Sequence, residues 1–199
     1  MSDLRYALRS LIKQPGFAAV VDRVALVVGK TVFTQSEVDD EARVEALESG
    51  KPLNLSGAQR KEAAERLVDQ ELLRQEMDVT GFQAPASSDD ALLRKFRQEH
   101  FTSIPLYRAA LTKYGVTEAA LKKHLAWEVA VMHFTDQRFM PLVAVAASDS
   151  GGSGSSANRA QPTDNSVPAT ADTADKEMEA WLKQQRANTR IVFKQEAFQ

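Results

Sequence analysis

The feature that most constrains this chain is a short β-branched segment at its end. Residues 190–194, Arg-Ile-Val-Phe-Lys, have the composition of a strand, and a strand needs a partner to be stable. The other strand-like residues lie near Val24, at the opposite end of the chain. We therefore predict that the C-terminus folds back onto the N-terminal region and completes a small antiparallel sheet.

The partner region is predicted to be a β-hairpin. Residues 23–28 alternate in a way that is typical of a strand buried on at least one face. Gly29-Lys30 fits a two-residue loop with glycine first, and residues 31–33 begin the return strand. Gly29-Lys30-Thr31 also matches the end of a phosphate-binding loop, but Val24 stands where that motif has its first glycine. The sequence therefore favours a turn and not a nucleotide site.

Helices are predicted to follow the hairpin. Residues 34–37, Thr-Gln-Ser-Glu, form a capping box that opens the first helix, which ends at Ser49-Gly50. Ser56 opens a second helix that ends at Gly81. A third covers residues 89–100. These signals place three helices in the first half of the chain.

Two more helices are predicted before the composition changes. The fourth has Pro105 in its first turn and ends at Tyr114-Gly115. The fifth runs from a Thr117 cap to about Phe139. Because residues 129–132 are apolar on every side of this helix, we expect them to be deeply buried.

After residue 146 the composition can no longer support a core. Residues 147–174 contain almost no large apolar side chains, so they cannot offset the entropy lost on ordering and are predicted to form a flexible linker. The expected organisation is an N-terminal segment over residues 1–20, a helical domain over 21–146, this linker, and a closing helix and strand over 175–199. The expected fold class is mainly α with a small antiparallel β-sheet.

The N-terminal segment is predicted to be a short amphipathic helix. Its basic face could contact a membrane surface through three side chains, Arg5, Arg9 and Lys13. The apolar core and cleavage site of a secretory signal are missing from it. The stretch DLRYALRSLIKQPGF resembles the opening of MacB-type permeases, particularly the duplicated permeases of Acidobacteria, where a transmembrane helix follows. No such helix follows here.

Composition limits the chemistry that the chain can perform. Its 199 residues carry a net charge of −2, which gives no electrostatic reason to expect nucleic acid as a partner. The chain has no cysteine, so disulfides and thiolate metal sites are excluded. The three histidines, His100, His124 and His133, are expected to be solvated or packed in a core. We therefore predict no catalytic residue, no metal site and no cofactor.

Four stretches together resemble the SurA-type periplasmic chaperones and their isomerase relatives. VDRVALVVGKTVFTQSEVD is similar to the strand, turn and helix start that open the N-terminal domain of that family. RLVDQELLRQEMDVTGF resembles its second helix, and residues 111–149 resemble its next helical segment. AWLKQQRANTRIVFKQEAF resembles the closing helix and strand. The resemblance covers about residues 21–149 and 175–198.

The resemblance implies a chaperone that binds unfolded or extended polypeptides, in the family's case for outer-membrane protein biogenesis. It also implies a periplasmic location, although the cytoplasm stays open because no signal peptide is seen. In the isomerase relatives, parvulin domains precede the closing helix, and here only the predicted linker occupies that interval. Peptidyl-prolyl isomerisation is therefore not expected.

Six aromatic, Met and Leu side chains are candidates for contact with a polypeptide client, because adaptable apolar side chains bind extended segments without strict sequence demands. These candidates are Leu106, Tyr107, Tyr114, Met132, Phe139 and Met140. Packing in the core is the alternative for most of them. Two other functions stay open, an isomerase by family membership and a membrane-associated interaction module that uses the basic N-terminal helix.

Overall fold

The computed structural model describes residues 22–84, 89–149 and 167–199, and side-chain positions for residues 22–84, 89–140 and 173–199. The fold is mainly helical with a small three-stranded antiparallel sheet, as predicted. The helix predicted over residues 1–20 lies outside the described residues. Within the described part of the chain, no helix combines the length and apolar character needed to cross a membrane.

The sheet joins the two ends of the described chain. Its strands are β1 (Val24–Val28), β2 (Thr31–Thr34) and β3 (Ile191–Phe193), in the antiparallel order β2-β1-β3. Gly29 has a φ of +60° in the turn between β1 and β2, a left-handed conformation that glycine adopts without strain. The hairpin and the return of the C-terminal strand to β1 are both confirmed.

The described residues hold six helices: α1 (Gln35–Ser49), α2 (Gly57–Thr80), α3 (Asp89–His100), α4 (Ile104–Tyr114), α5 (Glu118–Asp149) and α6 (Val167–Asn188). The capping box that starts α1 is confirmed, since the Glu37 amide donates to the Thr34 hydroxyl and the Thr34 amide donates to the Glu37 carboxylate over 2.7 Å. A 3₁₀ helix over Gln195–Phe198 is the last element of the described residues. The predicted starts and ends of α1 to α4 agree closely with these bounds.

The boundaries of α5 and α6 differ from the prediction. α5 continues through Pro141 to Asp149 instead of ending near Phe139. A proline inside a helix removes one backbone hydrogen bond, and here that loss does not end the helix. α6 begins at Val167, inside the segment predicted as linker, because alanine-rich residues favour a helix even without large apolar side chains. Residues 150–166 of the predicted linker lie outside the described residues.

Three apolar clusters form the core. The first packs the sheet against α1, α2 and the 3₁₀ helix around Leu26 and Val28, both fully buried. The second joins α1, α3, α4 and the start of α5. The third joins α2, α5 and α6, and includes Met178, Trp181 and Leu182 of the closing helix. The closing helix and strand therefore belong to the core of the domain.

The apolar stretch over residues 129–132 is less buried than expected. Ala130 is 8% exposed, but Met132 is 55% exposed. α5 packs mainly against α3 and α6 and also contacts α1 and α2, while Met132 lies on the part of the helix that faces solvent, so residues on successive sides of the helix have different environments. The prediction of deep burial is wrong for Met132.

Candidate functional site

An open cleft of about 480 Å³ lies where β2, α1, α2 and α5 meet. We call it the β2 cleft. Its apolar lining consists of Val32, Phe33, Val44, Leu67, Ala120 and Trp127. Its polar lining consists of Thr31, Glu37, Asp40, Glu41, Gln70, Arg74, Lys123 and His124. The cleft thus combines an apolar surface with charged groups of both signs.

One border of the β2 cleft is the edge strand of the sheet. β2 pairs with β1 on one side, and no strand in residues 22–84, 89–149 or 167–199 pairs with its other side. The Val32 side chain is 50% exposed, whereas Phe33 is 8% exposed and packs in the core. An edge strand presents backbone N–H and C=O groups that can pair with another chain. The cleft therefore offers main-chain hydrogen bonds next to an apolar side chain.

Local sequence signals determine where β2 begins and ends. The turn at Gly29 reverses the chain from β1 into β2, and the capping box at Thr34 turns it at once into α1. The Asp22 carboxylate accepts a further hydrogen bond from the Ser36 amide at 3.2 Å. The edge strand is short because both of its ends are fixed within four residues.

A buried carboxylate ties β2 to α2. Glu71 is 5% exposed, and its oxygens accept hydrogen bonds from Thr31 Oγ1 at 2.6 Å, Gln75 Nε2 at 2.8 Å and Arg74 at 2.9 Å. Burial alone would raise the pKa of Glu71, but these three donors together hold it below its usual value. The carboxylate is therefore charged at neutral pH and fixes the wall of the cleft.

The same arginine connects α2 to α5. The Arg74 guanidinium carbon lies 5.0 Å from the centre of the Trp127 ring, a cation–π arrangement. Trp127 is half-buried and faces the β2 cleft. Thr31, Glu71, Arg74 and Trp127 thus form a continuous chain of contacts from the edge strand to α5.

A second acidic group lies between α1 and α2. The Glu41 carboxylate accepts from Gln70 Nε2 at 3.0 Å and from Arg66 Nε at 3.4 Å. Burial raises the pKa of Glu41, although the charges of His124 and Arg66 oppose that change. These contacts hold α1 and α2 together along the cleft.

His124 brings α5 to α1. Its Nε2 lies 2.9 Å from Glu48 Oε2 and 3.7 Å from Glu128 Oε1. Burial disfavours the charged ring, but the Glu128 and Glu48 carboxylates outweigh burial and raise the pKa of His124 to about 10. His124 is thus an imidazolium that bridges the two helices at neutral pH. The expectation of a solvated or core histidine omitted this bridge.

The six predicted client-binding side chains divide into two groups. Leu106, Met132 and Met140 are exposed, by 56%, 55% and 37% respectively. Tyr107, Tyr114 and Phe139 are buried in the core, because they pack against apolar side chains of neighbouring helices. None of the six lines the β2 cleft. In this conformation only the exposed three are accessible to a client.

The two buried tyrosines, Tyr107 and Tyr114, have structural roles. The Tyr114 hydroxyl donates to the Lys51 carbonyl at 3.1 Å and so fixes the loop after α1. Tyr107 is 1% exposed, and burial followed by the nearby Glu118 carboxylate raises the pKa of Tyr107 to about 12. The phenol therefore stays neutral, as expected for a side chain that packs in the core.

Sequence reasoning did not identify the cleft, and only part of it had a readable signal. Glu128 stands four positions after His124 on a helix, a spacing that places both side chains on one face. That spacing could have indicated their contact. The approach of Trp127 to Arg74 joins distant parts of the chain and has no local signal.

No protein-family model matches the chain, and no curated protein matches it.

Proposed function

We propose that this protein is a chaperone that holds extended polypeptides at the β2 cleft and performs no covalent chemistry. The resemblance of four sequence stretches to SurA-type chaperones supports the class of function. The observation that supports the site is the exposed edge strand β2, which borders an open cleft.

The edge strand suits an extended client for a simple reason. A polypeptide in β conformation adds its own backbone hydrogen bonds to a free sheet edge, whatever its sequence. Val32 and Trp127 then supply apolar contacts to alternate side chains of the client. The backbone provides affinity, and the small apolar area keeps selectivity low.

Charged side chains at the rim of the β2 cleft suit clients that carry charges of both signs. Glu37 and Asp40 lie on the α1 side of the cleft, and Lys123 lies on the α5 side. Such a rim can accept either sign of charge on a client without a buried ion pair, whose desolvation would be costly. Weak binding to many sequences is the expected result.

The test compares two exposed valines. Val32→Lys places a charge on the edge strand, which blocks strand addition, whereas Val79→Lys makes the same change at an 84% exposed position at the end of α2. The wild-type chain and Val79→Lys should suppress aggregation of a denatured β-rich protein at near-stoichiometric ratios without nucleotide. Val32→Lys should lose this effect while its circular dichroism spectrum and melting temperature stay unchanged.

Two results would count against the proposal. One is the absence of any aggregation suppression by the wild-type chain, and the other is equal suppression by both variants. A proline test peptide distinguishes a chaperone from an isomerase. Its cis/trans isomerisation should keep the uncatalysed relaxation time of roughly tens of seconds or longer, and clear acceleration would favour an isomerase instead.

A further inference from the structure

We propose that Glu48, His124 and Glu128 form a binding site for a borderline divalent cation, with Zn²⁺ as the best-fitting ion. One imidazole nitrogen and two carboxylate oxygens lie within 4.8 Å of one another here. This ligand set is typical of zinc and of neighbouring transition metals, which accept both nitrogen and oxygen. His124 also belongs to the lining of the β2 cleft, but the metal site does not depend on client binding.

The distances agree with a small metal ion. Zinc lies about 2.0–2.1 Å from nitrogen and oxygen ligands, so two ligand atoms in a tetrahedral site are about 3.3 Å apart. The separations from His124 Nε2 are 2.9 Å to Glu48 Oε2 and 3.7 Å to Glu128 Oε1, one on each side of that value. Small rotamer changes would bring all three atoms into place.

The charge balance favours a dication. Among the ion pairs of the described ranges, Glu48 and Glu128 have no lysine or arginine partner, and both depend on the single charge of His124. Lys95, which lines one cavity together with Glu48 and Glu128, pairs with Glu99 instead, and Arg66 pairs with Glu41 and Glu45. When Zn²⁺ replaces the proton on His124 Nε2, the dication faces two carboxylates and a neutral imidazole, and the charges of the site balance.

The helices hold the ligands in place. His124 and Glu128 are one turn apart on α5, so the helix fixes their relative positions. Glu48 is in the last turn of α1, where the partial negative charge of the helix terminus also favours a cation. The bound ion would cross-link α1 and α5, two walls of the β2 cleft.

The exposed side chain of Glu128 leaves a path from solvent to the metal site. The side chains of His124 and Glu48 are 12% and 17% exposed, while that of Glu128 is 54% exposed. The ion would reach the two inner ligands from the Glu128 side. Three protein ligands leave a fourth position for water. Because zinc and a proton compete for His124 Nε2, binding should release a proton.

The test uses the full chain, freed of metal with EDTA and then dialysed to pH 8. Calorimetric titration with ZnCl₂ should show one ion per chain, and Co²⁺ should produce the visible absorption of a low-coordinate site. Zinc should also raise the melting temperature. Glu128→Gln, at a half-exposed position, should keep the fold and weaken zinc binding at least about tenfold, since even loss of an outer-shell partner has that effect.

Matched controls separate this site from surface histidines. His124→Ala should abolish binding, whereas His133→Ala, an exposed histidine on the same helix, should bind zinc like the wild-type chain. The proposal is overturned if the wild-type chain does not bind zinc. It is equally overturned if Glu128→Gln binds with unchanged affinity, or if His133→Ala removes the binding.

Discussion

Arg186 on α6 donates its Nε hydrogen to the Asp69 carboxylate on α2 over 2.7 Å, although 117 residues separate the two along the chain. The same guanidinium contacts the side chain and the backbone carbonyl of Glu65. A planar guanidinium suits this double contact, because its N–H groups point in fixed directions. The pairing holds the closing helix against the middle of the domain.

Replacement of this arginine should weaken the closure. We expect Arg186→Ala to lower the free energy of unfolding by about 1 kcal/mol, a modest value because all three side chains are about one-third exposed. Arg186→Lys should restore only part of the loss, since lysine cannot make the forked contact. Urea unfolding measures both changes, and Lys183→Ala, exposed on the same helix, is the control. Full stability in Arg186→Ala would contradict this role.

Truncation after Asp175 should have a much larger effect. It removes β3 and the apolar side chains of Leu182, Phe193 and Phe198, which pack against the first core cluster. The loss should reach at least about 3 kcal/mol, the scale for removal of large buried side chains. Thermal unfolding followed by circular dichroism gives the value. A melting temperature equal to that of the intact chain would refute the closure.

Deletion of six residues within 150–166 is the matched control for the truncation. The composition of residues 150–166 predicts a flexible linker, and closure entropy depends on the logarithm of linker length, so this deletion is expected to change the free energy of unfolding by only about a few tenths of a kcal/mol. A large loss in this control would show that residues 150–166 contribute more than a connection.

Glu71 should be important for stability because three donors depend on it. Glu71→Ala leaves Thr31, Gln75 and Arg74 without their shared acceptor, and we expect a loss of about 2–3 kcal/mol. Glu62→Ala, at an exposed position on the same helix, should be nearly neutral. Equal unfolding curves for the two variants would show that the network contributes little.

The His124 bridge predicts a pH dependence in buffer with EDTA. Its folded pKa of about 10 lies above its ordinary value of 6.5, so the folded state binds the proton more tightly. The stabilisation is therefore complete below pH 6.5 and disappears as pH rises to 10. At pH 6 we expect the free energy of unfolding of the wild-type chain to exceed that of His124→Gln by about 1–3 kcal/mol. The value is modest because the desolvation of a buried ion pair offsets much of its attraction.

The difference in the free energy of unfolding between the wild-type chain and His124→Gln is the decisive quantity, because groups that do not interact with His124 titrate equally in both. Urea unfolding at pH 6, 8 and 10 should show this difference shrinking steadily. A difference that stays constant or grows with pH would contradict the bridge.

Local signals explain why much of the fold could be predicted. The capping residue Thr34 and the helix-ending glycines Gly50, Gly81 and Gly115 act on the backbone within a few positions. The pairing of β3 with β1 is long-range, yet it was predictable because the sequence offers a lone terminal strand few partners. The sequence is therefore sufficient to predict the structure of a segment that has a short-range signal or only one available partner.

The cleft could not be predicted because it depends on how helices meet. His124 and Glu48 are 76 residues apart, and their contact is set by the packing angle of α5 on α1. The exposure of Met132 depends on the same packing, since an all-apolar stretch does not show which face meets a neighbour. Residue type alone made Tyr107 and Met132 equal candidates, and packing separates them.

The strand order β2-β1-β3 has a consequence for synthesis of the chain. Domains generally begin to fold from the N-terminus while the ribosome is still working, so β1 and β2 can pair early, whereas β3 is made only after all the helices that separate it from β2. Until then the second edge of β1, including Leu26 opposite Phe193, lacks its native partner strand. A nascent chain can meet the finished β3 of another copy during this interval, so exchange of the C-terminal arm between copies is the characteristic error that this topology invites.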